Sequence, residues 1–170
     1  MKTKLAIVLI LAFSGVARAE CNLDSIAASL AASLDTMKPT ERDVTDIQST
    51  DGGIWRIYRE KDGRLNTIIR TDFGESGRGE TRLGVVNRQT YGIAQSRIDY
   101  LRHAFIEQGP NGDARRTTDY FYYCGGKAFM PNPDVTIIDV AAYRKNAAEA
   151  QKTMLGDKDV ADVTKGLVRR

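Results

Sequence analysis

The chain has 170 residues, with 25 lysines and arginines against 22 aspartates and glutamates. Three of the basic residues, Lys2, Lys4 and Arg18, lie in the first 19 residues, which have the layout of a removable leader, so the processed chain would carry 22 residues of each sign. A chain without net charge lacks the basic footprint of a nucleic-acid-binding protein. About 150 residues are enough for one domain with its own core. We therefore expect a single domain at residues 20–170 and no nucleic-acid partner.

The N-terminus has the layout of a secretory signal peptide. The two early lysines precede an apolar run at residues 5–13, and an Ala-Arg-Ala sequence at 17–19 offers the small residues that a signal peptidase reads. We predict that residues 1–19 are removed, that Glu20 begins the mature chain, and that the protein is periplasmic or secreted. No later segment approaches the ~18 apolar residues of a spanning helix, so we expect no membrane insertion of the mature chain.

Two cysteines, Cys21 and Cys124, remain after cleavage. In an oxidising compartment, one disulfide between them is the simplest pairing. It would close a loop of about 100 residues and, on the chain-entropy view, contribute about 4–5 kcal/mol. Two free thiols, or pairing between chains, are the alternatives.

Helical patterns lie at both ends of the mature chain. Residues 22–37 place apolar side chains at three- and four-residue spacing, which predicts a helix capped by Asn22 or Asp24. A second helix is predicted from Val140 to Leu155 and ended by Gly156, within a helical C-terminal region at 138–168. A short last helix, or a frayed end, would follow.

Residues 43–130 alternate between β-type segments and tight turns. Asp62-Gly63 and Gly125-Gly126 are hairpin signals, and a longer glycine-rich connection occupies 73–79. Consecutive strands with short turns favour an antiparallel meander, here of about five to seven strands. We predict an α+β fold in which the N- and C-terminal helices pack on one face of this sheet.

The segment from Gly53 to Val86 resembles small exported bacterial β-meander proteins of unassigned function. Its sequences Ile-Trp-Arg-Ile-Tyr at 54–58, Asp-Gly-Arg-Leu at 62–65 and Phe-Gly-Glu-Ser-Gly-Arg at 73–78 carry the resemblance. The hairpin sequence Tyr-Tyr-Cys-Gly-Gly-Lys at 122–127 fits the same style. The resemblance implies the sheet and no catalytic residue.

Arginine and tyrosine recur together in the predicted strands. Strand alternation sends Arg56 and Tyr58 to one face and Trp55 and Ile57 to the other. By the same argument one face would be apolar and the other rich in guanidinium and phenol groups, which are typical of protein-binding hot spots. An ordinary solvated face with cross-strand pairs is the alternative. Our candidate binding residues are Arg56, Tyr58, Arg70, Arg82, Glu75 and Arg78.

The catalytic and metal-binding signals are weak. His103 is the only histidine and has no base or nucleophile at a fixed spacing. Asp72 and Glu75 flank a turn and could serve a glycosidase, but carboxylates in such turns usually pair with nearby arginines. The aspartates at 157, 159 and 162 lack the glycine and terminal glutamate of a calcium loop. We expect no catalytic residue, cofactor or metal.

The sequence therefore predicts an exported binding or inhibitory module without catalysis. It would present the uncovered sheet face, or the loops at 74–79 and 109–116, to an envelope protein or a cell-wall fragment. The alternatives are a glycan-directed hydrolase that uses Asp72, Glu75 or His103, and a structural component of the envelope.

Overall fold

A computed structural model describes residues 21–46, 51–100, 113–130 and 139–169. Within these ranges the chain forms one seven-stranded sheet with helices before and after it. The elements are α1 (Leu23–Ala31), β1 (Thr40–Asp43), β2 (Gly53–Arg59), β3 (Leu65–Gly74), β4 (Gly77–Val85), β5 (Thr90–Tyr100), β6 (Asp113–Cys124), β7 (Lys127–Phe129), α2 (Val140–Gly156) and α3 (Ala161–Thr164).

The sheet is an antiparallel meander in which the spatial order of the strands is their order in the chain. Short turns make four of the connections, namely β2–β3, β3–β4, β4–β5 and β6–β7. The β6–β7 turn shows why the sequence folds locally in this way: Gly125 and Gly126 both have positive φ, at 57° and 78°. A tight hairpin turn needs this conformation, and glycine adopts it without steric cost. The predicted α+β class and meander are confirmed.

The two terminal helices pack on opposite faces of the sheet, which corrects the prediction that they share one face. Gly84 and Gly92 are cross-strand partners, and a Cβ on either would collide with α1. Leu83 and Ile93, each next in sequence to one of these glycines, point to the other face. They belong to the main core, which also contains Met154 of α2. The strand pattern alone could not assign a helix to a face, because both faces carry apolar or small residues at these positions.

The main core lies between the sheet and the C-terminal helices. Hydrogen bonds fix this layer: Gln151 donates to the hydroxyl of Tyr91 at 2.6 Å, and Tyr91 donates to the carbonyl of Val168 at 2.7 Å. The hydroxyl of Tyr123 donates to the carbonyl of Ala147 at 2.6 Å. Its largest fully buried members are Trp55, Tyr91, Tyr123, Ile57, Ile68, Leu83, Ile93, Met154, Leu155 and Val160.

The helix α1 is shorter than the sequence pattern predicts. It is capped by Asn22, whose side chain accepts from the amide of Ser25 at 3.1 Å, but it ends at Ala31 and not at residue 37. Ala32 has an extended backbone, and its carbonyl accepts a hydrogen bond from Arg82 on the sheet at 2.6 Å. This carbonyl is therefore hydrogen-bonded to the sheet and does not accept a bond from the amide of a further helical turn. The second helix begins at Val140 as predicted and includes Gly156.

The predicted disulfide is present between Cys21 and Cys124, whose Cα atoms are 5.9 Å apart. It ties the residue before the α1 cap to the end of β6. Disulfides of this kind are typical of proteins that fold outside the reducing cytosol. No helix in the described ranges is both long and apolar enough to cross a membrane.

Candidate functional site

The predicted binding residues Arg56, Tyr58 and Arg82 lie on the face of the sheet that carries α1. Arg56 pairs with Glu41 of β1 at 2.9 Å, and both side chains are partly exposed. Tyr58 is only 9% exposed. Arg82 is committed to the carbonyl of Ala32, and burial lowers the pKa of its guanidinium. Of these three residues, Arg56 alone is placed to meet a partner without rearrangement.

Arg70 lies on the opposite face from Arg56, which corrects its grouping with the other arginines. The β2–β3 register pairs Arg70 with Trp55, and cross-strand partners point to the same side. Its guanidinium carbon sits 5.3 Å from the centre of the Trp55 ring. Alternation within β3 separates residues 69 and 70, but only the register between strands says which of them joins Trp55.

Arg70 is the centre of a buried ion network. It is 8% exposed, and it contacts Asp72 at 2.9 Å, Asp46 at 2.9 Å and Asp157 at 3.2 Å. Desolvation raises the pKa of Asp157, whose side chain is 5% exposed. The network joins the segment after β1 to β3 and to the end of α2. Its effect is to fix the end of α2 to the sheet, since separating Asp157 from Arg70 would leave the buried carboxylate of Asp157 unpaired.

Three carboxylates of this region lie close enough to share a cation. Asp46, Asp157 and Asp159 each bring one oxygen within 4.8 Å of the others. Arg70 is hydrogen-bonded to the first two, and Asp159 accepts from both the amide and the hydroxyl of Thr45 at 2.8 and 2.7 Å. These hydrogen-bond donors stabilise the clustered negative charges, so we interpret the three carboxylates as a structural link, which we call a structural tie, between the segment after β1 and the residues after α2. Asp162, from the same predicted acidic run, pairs instead with Arg42 at 2.6 Å.

The β3–β4 hairpin holds the remaining predicted residues. Glu75 lies in its two-residue turn and is exposed, because Gly74 and Gly77 are the last paired residues. The guanidinium carbon of Arg78 lies 6.0 Å from the centre of the Tyr100 ring. A shallow groove of about 440 Å³ runs beside the hairpin, and Asp72 lines it while Glu75 does not.

These positions do not assemble an acid–base pair among the described residues. Both carboxylate oxygens of Asp72 accept from Nε of Arg70, at 2.9 and 3.0 Å. The carboxylate of Asp72 is therefore held in a contact with the buried Arg70. His103 lies outside the described residues, as do residues 109–112 of the predicted loop. Residues 113–116, predicted as the rest of that loop, belong to β6.

An exposed surface remains on the α1 side of the sheet, beyond the helix. Tyr120 is 50% exposed and Phe73 is 38% exposed. Register places Phe73 opposite Arg78, and Ile98 between Arg78 and Arg116, so one row crosses four strands. Arg116 also approaches Glu80 at 3.8 Å. We call this surface the arginine–aromatic face; it consists of Arg56, Phe73, Arg78, Arg116 and Tyr120.

The face is not uniformly open. Ile98 is fully buried and Thr71 is 4% exposed, although both point to this side. Sequence reasoning found Arg56 and Arg78 but missed Phe73, Arg116 and Tyr120 as members. Alternation could have placed Tyr120 with Tyr122, yet no single-strand pattern indicates which of the two α1 covers. The structure assigns Tyr122 to the α1 cluster and leaves Tyr120 exposed.

A second concave region was not anticipated at all. It is a half-open pocket of about 390 Å³ where the β2–β3 and β4–β5 turns meet the C-terminal residues. In a meander these two turns fall at the same end of the sheet, so their joint position was readable from the predicted strand order. Comparison with family models, with curated proteins and with solved structures found no match to this chain.

Proposed function

We propose that this chain is an exported, periplasmic binding module that holds a partner protein through the arginine–aromatic face and performs no reaction. The observation that carries the proposal is the exposure of two large aromatic side chains, Tyr120 at 50% and Phe73 at 38%, on one side of a rigid sheet. Aromatic residues and arginine dominate the energetics of protein interfaces because they bury much area at low entropic cost. The signal peptide at residues 1–19 would deliver the module.

The dimensions of the face fit a contact that includes the neighbouring hairpin. Phe73 on β3 and Tyr120 on β6 are three strands apart, about 14 Å across the sheet, and the register offsets them by a further four residues, or about 13 Å, along it. A standard interface buries about 800 Å² on each partner. The β3–β4 hairpin, with Glu75 at its tip and Arg78 beside it, adjoins the row and would complete the contact. A narrow hairpin end can also enter a cleft, so the module would act by occluding its partner's site.

The guanidinium groups of the face favour a partner that presents carboxylates. Three of its five residues are arginines, and the carboxylates paired with them are Glu41 for Arg56 and Glu80 for Arg116. These pairs are partly exposed, with separations of 2.9 and 3.8 Å. Exposed ion pairs of this kind contribute little to stability, so a partner carboxylate can replace either glutamate at small cost. A cell-wall fragment, which offers carboxylates on a sugar framework, is the alternative ligand for the same face.

The hydrolase alternative has less support from the geometry. Asp72 is bound to the buried Arg70, while Glu75 is exposed at the hairpin tip and does not line the groove beside it. A glycosidase needs two carboxyl groups facing one bond, within about 5–10 Å of each other and on either side of the sugar. We therefore propose that the polar side chains of the arginine–aromatic face bind a partner and do not perform acid–base chemistry.

The test is capture from an envelope extract with the mature protein as bait. Three baits are compared: the wild type, the double variant Tyr120→Ala with Arg116→Ala, and Lys152→Ala. Lys152 is an exposed residue of α2 on the other side of the sheet, so it serves as the matched control. We expect a protein retained at micromolar bait concentration by the wild type and the control, and lost from the double variant.

Four results would overturn the proposal. One is that no protein is retained at concentrations well above micromolar. Another is equal retention by all three baits. The third is release of soluble fragments from purified peptidoglycan by the wild type but not by a Glu75→Gln variant, which would establish the hydrolase. Retention of cell-wall fragments without any protein would overturn the protein-binding proposal and show that the ligand of the arginine–aromatic face is a glycan.

A further inference from the structure

We propose that the half-open pocket at the turn end of the sheet binds a monoanionic amphiphile, an aliphatic chain carrying one carboxylate. The pocket has a volume of about 390 Å³, within the range of small-molecule sites, which begins at about 300 Å³. It lies at the far end of the sheet from the β3–β4 hairpin, so this proposal stands apart from the protein-binding function.

The inner wall of the pocket is apolar. Val163 and Leu167, from α3 and the turn after it, are 9% and 8% exposed and belong to the main core. Leu65 and Val85, from the ends of β3 and β4, pack against the same core and are partly accessible. Four aliphatic side chains thus line one wall with no aromatic residue among them. Such a wall suits a flexible hydrocarbon chain better than a flat ring.

The rim is basic, and its charges leave one positive charge uncompensated. It carries Arg59, Arg64 and Arg88 together with Glu60. Arg64 is paired with Asp62 at 2.6 Å. Counting Asp62 with Glu60, the three guanidinium groups are balanced by only two carboxylates. Among the described residues Arg88 has no hydrogen bond or ion pair from its side chain, whereas its carbonyl accepts the amide of Val168 at 2.8 Å. The backbone of Arg88 is therefore fixed while its guanidinium remains available to an anion.

An extended peptide is a poorer occupant than a small molecule. The strands that end at the pocket, β2 to β5, are interior strands, and each is paired on both sides. A peptide strand gains affinity from a free sheet edge, and none of these four strands offers one. The ligand must therefore be held by side chains, with its chain on the aliphatic wall and its head at Arg88. Guanidinium binds carboxylate through two parallel hydrogen bonds, which fixes such a head.

The test is isothermal titration of the mature protein with decanoate, octanoate and 1-decanol, each below its aggregation concentration. Saturable binding of decanoate with a dissociation constant below about 1 mM is expected. Octanoate should bind about tenfold more weakly, because two methylene groups fewer are buried. The alcohol should also bind about tenfold or more weakly, because it lacks the charge that meets Arg88.

Variants assign the binding to this pocket. Arg88→Gln should weaken decanoate about tenfold or more and leave 1-decanol unchanged. Val86→Glu, at a surface position on the rim that is 36% exposed, should abolish decanoate binding without affecting the fold. Arg115→Gln, which removes the same charge from an exposed position near the other end of the sheet, is the control and should bind as the wild type does. Absence of saturable decanoate binding, equal affinity for the alcohol, or an unchanged affinity in both pocket variants would overturn the proposal.

Discussion

The close approach of α1 to the sheet predicts that Gly84→Ala is destabilising out of proportion to its size. A Cβ at Gly84 would stand 2.8 Å from the backbone carbon and oxygen of Ser29. Because backbone atoms cannot rotate away, the helix must shift or leave. Overpacking of this kind costs about 1–3 kcal/mol. The small gain from restricting the unfolded chain, about 0.4–1 kcal/mol, acts in the opposite direction.

The same strand provides the control for this prediction. A Cβ at Gly79 would meet only the Cβ of Asp72, at 3.9 Å, which is ordinary contact. Gly79→Ala should therefore be neutral or slightly stabilising, and the two variants should differ by about 1–3 kcal/mol in urea unfolding. Hydrogen exchange should also show faster exchange of the amides of Ile26 and Leu30 in Gly84→Ala. Equal unfolding midpoints for the two variants would refute the account of how α1 is seated.

Three further predictions follow from the disulfide and the ion pairs. Replacing both Cys21 and Cys124 by serine releases a constraint across 103 positions and should lower the free energy of unfolding by about 4 kcal/mol in chemical denaturation; a loss below 1 kcal/mol would contradict this. Arg70→Gln leaves the buried carboxylate of Asp157 unpaired and should cost about 3 kcal/mol in the same assay, whereas a neutral result would show that the network is not a structural tie. Asp162 has a folded pKa of about 2 against an ordinary 3.8, because it is hydrogen-bonded to Arg42. Its contribution to the free energy of unfolding is therefore present above pH 4 and is lost as the pH falls towards 2. The wild type should lose more stability than Asp162→Asn across that interval, and equal losses in the two proteins would refute the assignment.

The sequence carries the strand order and the faces within each strand, but not how the strands align. Trp55 and Ile57 are buried as alternation predicts, and Arg56 lies on the opposite side. Arg70 was misplaced because alternation fixes residues relative to their own strand only. Its face depends on the register with β2, which sets residue 70 opposite Trp55. Turn length and packing, not the composition of either strand, decide that alignment.

The placement of α1 was unreadable for a related reason. In the sequence, Gly84 and Gly92 are isolated glycines in two different strands. Only their cross-strand pairing creates the surface without side chains against which α1 packs, with Ile26 and Leu30 over Gly92. The basic pocket likewise combines turns that are about 25 positions apart in the chain, and nothing local marks Arg88 as part of it. By contrast, the disulfide followed from counting cysteines, since two cysteines allow one intramolecular pairing.

The proposed function depends on export of the chain and on the disulfide that ties the start of α1 to the end of β6. Intact-mass analysis of the protein recovered from the periplasm, under non-reducing conditions and with alkylation of free thiols, tests both most directly. The account predicts a chain that begins at Glu20, is two hydrogens lighter than the reduced form, and takes up no alkylating agent. A product that retains residues 1–19, or one in which both Cys21 and Cys124 are alkylated, would contradict it.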